Sequence, residues 1–461
     1  MTHHSLLGPR AREDAISRLS DYDFAIRLGA TVPKLRQPLH VVYGGAHLFK
    51  TDTVEKVGAL ARTSFEKYAG DATSFAEALG LELPPEAATE VFTRTKAKLE
   101  GACAVEDYRI DFEDGYGLRS DEEEHEHADR AAIALAEAVK RWGSDAPGAR
   151  RTPVRIGIRI KSFAPETRLR ALLTLERFLG GFTHANDGAL PAGFVVTLPK
   201  VRRAVEVEVL SSVLASIEGA LGLEPRAIGV ELMIEQPDAL FDDDGRIALP
   251  ALLQASDGRC AGLHLGSYDF TASLGIAAHE QRLTHPSCDF AKHVLQVAVA
   301  GTGVGLSDGA TTLLPIEPHR GAEIGDAERA ANRAAVHAAW RAHADNVTHG
   351  LRQGFYQGWD LHPAQLPARF GAVFAFFAKA APEMEERLKG FLERAAQATR
   401  RGQAFDDAAT GQGLLNFFER AVASGALSCD VLTRLGLSEA TLAARDFAAI
   451  VREHVDGPPS K

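Results

Sequence analysis

The chain has 461 residues, 45% of them hydrophobic and 25% charged, the profile of a folded globular protein rather than a disordered one. Lys and Arg number 51 against 62 Asp and Glu, a formal net charge of −11. That balance leaves no basic footprint for nucleic acid or for an anionic membrane surface, and the length fits two or three domains, or one barrel with an appendage.

Residues 1–37 are mixed and polar and are expected to form an N-terminal arm with some helix. A rhythm then begins. Short runs rich in Val, Ile, Leu and Phe recur at Leu39–Tyr43, Tyr108–Phe112, Val154–Ile160, Phe194–Leu198, Ile228–Ile234, Ala261–Leu265, Val304–Ser307 and Phe355–Trp359. Helical patterns separate most of them. Leu169–Phe178 and Ala204–Ile217 carry the i, i+3, i+4 apolar spacing of amphipathic helices. Eight strands alternating with helices predict an α/β fold, a closed parallel TIM (β/α)8 barrel over residues 38–375. Periodicity cannot detect closure, so a doubly wound open sheet is the alternative. Beyond residue 376 the strand signals stop, and segments rich in Ala, Glu and Arg predict a helical C-terminal domain over 376–461.

Four cysteines, Cys103, Cys260, Cys288 and Cys429, lie far apart with no CxxC pair. This usage suits inert thiols in a reducing cytoplasm. The N-terminus lacks the charged-then-apolar order of a signal peptide, and no apolar run approaches a membrane span. The expectation is a cytoplasmic protein.

In a barrel of this kind the chemistry gathers where strands end and loops begin. The second strand ends in Asp111-Phe-Glu113-Asp114, the third in Arg159-Ile-Lys161, the fourth in Leu198-Pro-Lys200, the fifth in Ile234-Glu235-Gln-Pro237, and the sixth runs into Gly266-Ser-Tyr-Asp269. A charge at one strand end is usually a solvated loop residue; five in succession suggest an active site. Glu235 and Asp269 offer hard carboxylate oxygens from neighbouring strands, the donor set Mg2+ prefers, with waters and substrate oxygens completing its octahedron. No Cys or tight His cluster accompanies them, which argues against zinc. Arg159 has the guanidinium fork that grips a carboxylate at two points. A metal and an arginine beside acidic groups suit a reaction that passes through an enolate.

Other motifs have plainer readings. Gly301-Thr-Gly-Val-Gly305 leads from a helix into a strand, the reverse of a dinucleotide-binding loop, and is expected to be a turn. His125-Glu-His127 lies in the acidic run Asp121–Glu126, the expected exposed start of a helix. Lys200 has the chemistry of a Schiff-base lysine, but a structural or anion-contacting role is preferred.

In their order, Asp111-Phe-Glu-Asp114, Leu198-Pro-Lys200, Ile234-Glu-Gln-Pro237 and Leu263-His-Leu-Gly-Ser-Tyr-Asp269 resemble the HpcH/HpaI aldolase and citrate lyase beta-subunit superfamily, which includes malyl-CoA lyases and malate synthases. The resemblance spans about residues 38 to 370, and Gly358-Trp-Asp-Leu-His362-Pro-Ala-Gln365 resembles its last strand and loop. It implies a TIM barrel, Mg2+ (or Mn2+) on Glu235 and Asp269, and Arg159 as the group that meets the oxyacid. It places the acidic motif, Asp111, Glu113 and Asp114, beside the metal, holding its waters or orienting a base. Lys200 and Asp114 join Arg159 as candidate substrate contacts. Phe405-Asp-Asp407-Ala-Ala-Thr410 is similar to the segment that carries the malate synthase base, which implies Asp407 as a proton carrier; alternatively Asp406 and Asp407 cap a helix beginning near Ala408. The implied activity is a carbon–carbon lyase or its condensing counterpart on a 2-oxoacid or hydroxyacid, with a CoA thioester as a candidate substrate. An aldolase joining free pyruvate or glyoxylate to an aldehyde, and a non-catalytic barrel subunit, are the other readings. The resemblance also implies a homo-oligomer, trimer or hexamer. The sequence departs from the commonest pattern in having Gln236 where Thr or Ser usually follows the metal-binding Glu, and Ile160-Lys161 after Arg159 where Asn is usual.

Overall fold

A computed structural model describes residues 36–101, 103–143, 153–321, 323–400 and 408–438, with isolated positions before residue 18. Eight parallel strands close into a barrel in chain order. They are β1 (His40–Gly45), β2 (Asp107–Asp111), β3 (Arg155–Arg159), β4 (Phe194–Leu198), β5 (Gly229–Ile234), β6 (Cys260–Leu265), β7 (Gly305–Ala310) and β8 (Gln357–Asp360). All eight overlap the apolar runs expected from the sequence. Closure, which periodicity could not detect, excludes the open sheet.

The helices between strands follow from familiar signals. After β1 come α1 (Thr53–Tyr68), α2 (Ala72–Leu79) and α3 (Pro85–Glu100). Then α4 (Asp121–Trp142) opens with a reciprocal cap: Glu123 N–H donates to Ser120 Oγ at 3.2 Å, and Ser120 N–H to Glu123 Oε2 at 3.0 Å. Its acidic first turn, the Asp121–Glu124 run, suits the positive end of the helix dipole. The expected amphipathic segments lie in α5 (Arg168–Ala185) and α6 (Ala204–Leu221). The short α7 (Leu249–Ala255) and α8 (Ser267–Ser273) flank β6, and α9 (Pro286–Val299) precedes β7. The Gly301–Gly305 segment is the turn from α9 to β7, with Gly301 and Gly303 at φ 78° and 81°, a region that favours glycine. The chain continues with α10 (Asp326–Arg352), α11 (Leu366–Arg400), α12 (Ala408–Ala423) and α13 (Asp430–Arg434).

The chain falls into two compact units. One takes in residues 43–53 and 107–310, and so carries β2 to β7 with their helices. Parallel pairing runs unbroken from β2 to β7, with one irregularity in the β5–β6 register at Val230 and Glu231. The other takes in 36–42, 54–106 and the chain from 311 onward. Within it β1 pairs with β8 through His40–Gly358 and Val42–Asp360. The helix α11 runs unbroken through residue 376, where a domain boundary was expected. Its later half packs with α12 and α13 around a core of Leu388, Phe391, Leu392, Leu415, Phe418 and Leu432. Among the described residues no disulfide joins the cysteines, and no helix is long and apolar enough to cross a membrane.

Inside the first unit the β3–β4 contact depends on a glycine. A Cβ added to Gly157 would stand 1.8 Å from the Val195 carbonyl oxygen, far inside van der Waals contact. We expect Gly157→Ala to force β3 from β4 and cost about 3 kcal/mol of stability. Thermal unfolding measures it, and a melting temperature within a degree or two of the parent would refute the tight packing.

Candidate active site

Strand alternation places Asp107, Arg109 and Asp111 on one face of β2, and Arg155, Gly157 and Arg159 on one face of β3. The paired registers Asp107–Arg155 and Asp111–Arg159 set these faces side by side. At the upper layer the Arg159 guanidinium donates from Nε to Asp111 Oδ1 at 2.7 Å and from Nη2 to Asp111 Oδ2 at 2.5 Å. Asp111 also accepts the backbone N–H groups of Glu113 at 2.9 Å and Gly115 at 2.7 Å. Both side chains are buried, and the two-point contact with four donors on one carboxylate makes the pair a fixed element of the site. Arg159 lies over the Tyr43 ring, 4.8 Å from its centre. Its remaining nitrogen, Nη1, reaches Glu113 Oε2 at 3.1 Å and Asp114 Oδ2 at 3.5 Å. The fork expected to grip substrate is thus held by Asp111, and Nη1 is the part turned toward the other acids.

Lys200 follows β4 with φ 53°, the left-handed region that a side chain other than glycine enters only when its surroundings hold it there. Its ammonium stands 2.5 Å from Glu113 Oε1 and 3.1 Å from Asp114 Oδ1. Asp269 Oδ2, in the first turn of α8, is 3.9 Å away. Burial works against the charged amine, but Glu113, Asp114 and Asp269 outweigh it and raise its pKa. A lysine held protonated by three acids is a cation, not the neutral nucleophile a Schiff base requires. The same acids feel the cations in return. Burial leaves the Glu113 carboxyl raised despite Arg159. On Asp114 burial loses to Arg159 and Lys200, and the carboxyl is lowered.

Glu235, just past β5, is 2% exposed. Its Oε1 accepts the Lys200 backbone N–H at 2.7 Å, and a Cβ on Gly266 would stand 2.3 Å from its Oε2. Burial, then the charges of Asp269 and Glu113, push its pKa up to about 8, with Arg159 and the Lys200 N–H opposing. It is a carboxyl short of positive charge. Among the described residues no three of His, Cys, Asp and Glu are placed to hold a metal ion alone. Two carboxylates with waters and substrate oxygens are the usual protein share of a Mg2+ site, so Glu235 and Asp269 fit that ion and not a cage built wholly from side chains.

The structure therefore brings Asp111, Glu113, Asp114, Arg159, Lys200, Glu235 and Asp269 together around the ends of β2 to β6. Asp407 and its neighbour Asp406 lie outside the described residues; α12 is described from Ala408. Lys161 turns elsewhere, donating to the Phe112 carbonyl at 2.7 Å and standing 3.3 Å from Glu124. His264 stands 2.9 Å from Glu231, and His285 accepts the Ser287 N–H at the start of α9.

Two features escaped the sequence reading. Tyr43 is the ring under Arg159, in a run legible only as a strand. Below the mouth lies a buried layer of charge: Arg109 pairs with Asp107 and, at 2.5 Å, with Glu231, while Arg155 reaches Glu231 at 2.9 Å. Its signal was polar residues at period two within β2 and an arginine at each end of β3, where a barrel interior is usually apolar.

The sequence matches the family model described as a domain of unknown function, DUF6986, over residues 28–450. The chain belongs to the DUF6986 family. A comparison with curated proteins finds no match. Among solved structures this DUF6986 chain is similar to a citrate lyase from Burkholderia xenovorans, at 19% identity and a TM-score of 0.49, over 87% of this chain and 96% of that one. It is similar to the citrate lyase beta subunit of Mycobacterium tuberculosis complexed with oxaloacetate and magnesium, at 14% identity and 0.38, over 75% and 98%. A third is the magnesium and glyoxylate complex of Haloferax volcanii malate synthase, at 15% and 0.42, over 91% and 98%.

Proposed function

We propose that the protein is a Mg2+-dependent carbon–carbon lyase, or the matching condensing enzyme, acting on a 2-oxoacid or hydroxyacid. The observation that carries this reading is Glu235, a buried carboxyl pushed up to about 8 and short of positive charge beside Asp269. A divalent cation on Glu235 and Asp269 would relieve that deficit, and when bound it supplies carbonyl polarisation and stabilises an enolate.

The chain's own groups do the rest. The Lys200 backbone N–H and the absent side chain of Gly266 hold Glu235 in one orientation. Asp111 locks Arg159 so that Nη1 and the Lys200 ammonium present positive charge toward the mouth, where a substrate carboxylate would be oriented. Glu113, raised by burial and hydrogen-bonded to Lys200, is suited to take and return a proton. Asp407, from the motif resemblance, is the second candidate for that task. In the cleaving direction the substrate hydroxyl loses its proton to such a carboxylate, the carbon–carbon bond breaks, and the enolate leaving with the bond electrons is protonated.

The test is a product assay with Mg2+, offering one 2-oxoacid with an acyl-CoA and the same oxoacid with an aldehyde. Metal-dependent product from the first pair supports a thioester enzyme; from the second alone, an aldolase that needs no CoA. No metal-dependent turnover of any oxoacid would leave the non-catalytic barrel subunit as the better reading.

A further inference from the structure

Lys200 is bound into the site at both ends. Its backbone N–H fixes the proposed metal ligand Glu235 at 2.7 Å. Its ammonium sits among Glu113, Asp114 and Asp269, at 2.5, 3.1 and 3.9 Å. The residue holds φ 53° to do both, a backbone region unfavourable for any side chain and maintained only where the surroundings determine it. Glycine would occupy that region without strain, but would leave the acids without this cation. The side chain is 29% exposed, so the ammonium can swing toward an anion at the mouth without a change in the fold.

One position cannot comfortably serve two cations. A divalent ion on Glu235 and Asp269 meets the charge of an ammonium 3.9 Å from Asp269, and like charges at such separations repel strongly in a partly buried site. A substrate carboxylate reverses the balance, because it gives the ammonium another partner and releases the acids.

We propose that Lys200 is a resident counter-cation and positioning residue that couples the two binding events: it opposes divalent-cation binding in the free protein, and an anionic 2-oxoacid draws its ammonium away and so favours the metal. This rests on the reading of Glu235 and Asp269 as metal ligands. The coupling is reciprocal, so metal also tightens oxoacid binding. The oxoacid adds oxygens to the metal in any case, and the part due to Lys200 is what its removal subtracts.

The experiment is calorimetric titration of the full chain with Mg2+ alone, then with Mg2+ in saturating pyruvate, for the parent, Lys200→Met and Lys200→Arg. Methionine keeps the length and occupies the same backbone conformation without charge. We expect Lys200→Met to bind Mg2+ alone about tenfold more tightly than the parent, and Lys200→Arg to stay within about twofold. The gain in Mg2+ affinity caused by pyruvate should shrink at least threefold in Lys200→Met and persist in Lys200→Arg. Unchanged or weaker Mg2+ binding by Lys200→Met, with the parent binding through Glu235, overturns the role given to Lys200. Should the parent show no Mg2+ binding that Glu235→Ala removes, the metal reading itself falls.

Discussion

Glu235→Ala and Asp269→Ala are each expected to reduce Mg2+ binding below detection by calorimetry and to lower metal-dependent turnover about a thousandfold, the scale of lost metal and electrostatic stabilisation of a developing charge. The two changes remove different things. Glu235 is buried, receives a backbone N–H and lies against Gly266, so its loss empties a position that nothing nearby refills. Asp269 is 42% exposed at the start of α8, so its loss is more easily met by water. Binding by Glu235→Ala should therefore be the harder of the two to restore at high Mg2+ concentration. It also removes a repulsive neighbour from Glu113 and Asp269, so thermal stability without metal should hold or rise. Loss of activity with a retained melting temperature separates a ligand from a structural acid. Full Mg2+ affinity in both variants would sink the metal assignment.

Glu231→Ala is expected to destabilise the fold by about 3–5 kcal/mol, the cost of breaking a buried ion pair from one side. Glu231 is wholly buried. Burial alone would favour its neutral form, yet Arg109, His264 and Arg155 outweigh it and hold the carboxyl well below the usual range. Removing it leaves Arg155 without that partner and Arg109 with Asp107 and the Thr197 hydroxyl. Glu231→Gln keeps the shape and some hydrogen bonds and should cost less. Urea unfolding with linear extrapolation gives both values; a loss under 1 kcal/mol for the alanine variant would show that the layer is not held by this carboxylate.

These two predictions mark how differently the sequence exposed its features. The places of Glu235 and Asp269 at the barrel mouth were legible because Glu235 directly follows one strand-like run and Asp269 lies four residues past the next, and chemistry in a parallel barrel gathers at those ends. Glu231 was not, because one acid inside Ile228–Ile234 reads as a strand residue until the neighbours that face it are known. Arg159 lies between. Its place at the end of β3 was evident, but which acid takes its fork was not. That depends on the Asp111–Arg159 register between strands about fifty residues apart, a pairing no local pattern contains.

Lys200 makes the same point through the backbone. The Leu-Pro-Lys turn announced a cation after β4, but the left-handed φ and the bond from its N–H to Glu235 are set by the neighbouring strand.

By itself the sequence determined the eight strands, the helices between them and the acids at the strand ends, because apolar periodicity and turn chemistry are local and act before any long-range contact forms. Only the tertiary structure decided closure, strand register, the partner of each arginine and the burial that pushes Glu235 up. Those depend on which distant segments meet, and on how much water they exclude when they do.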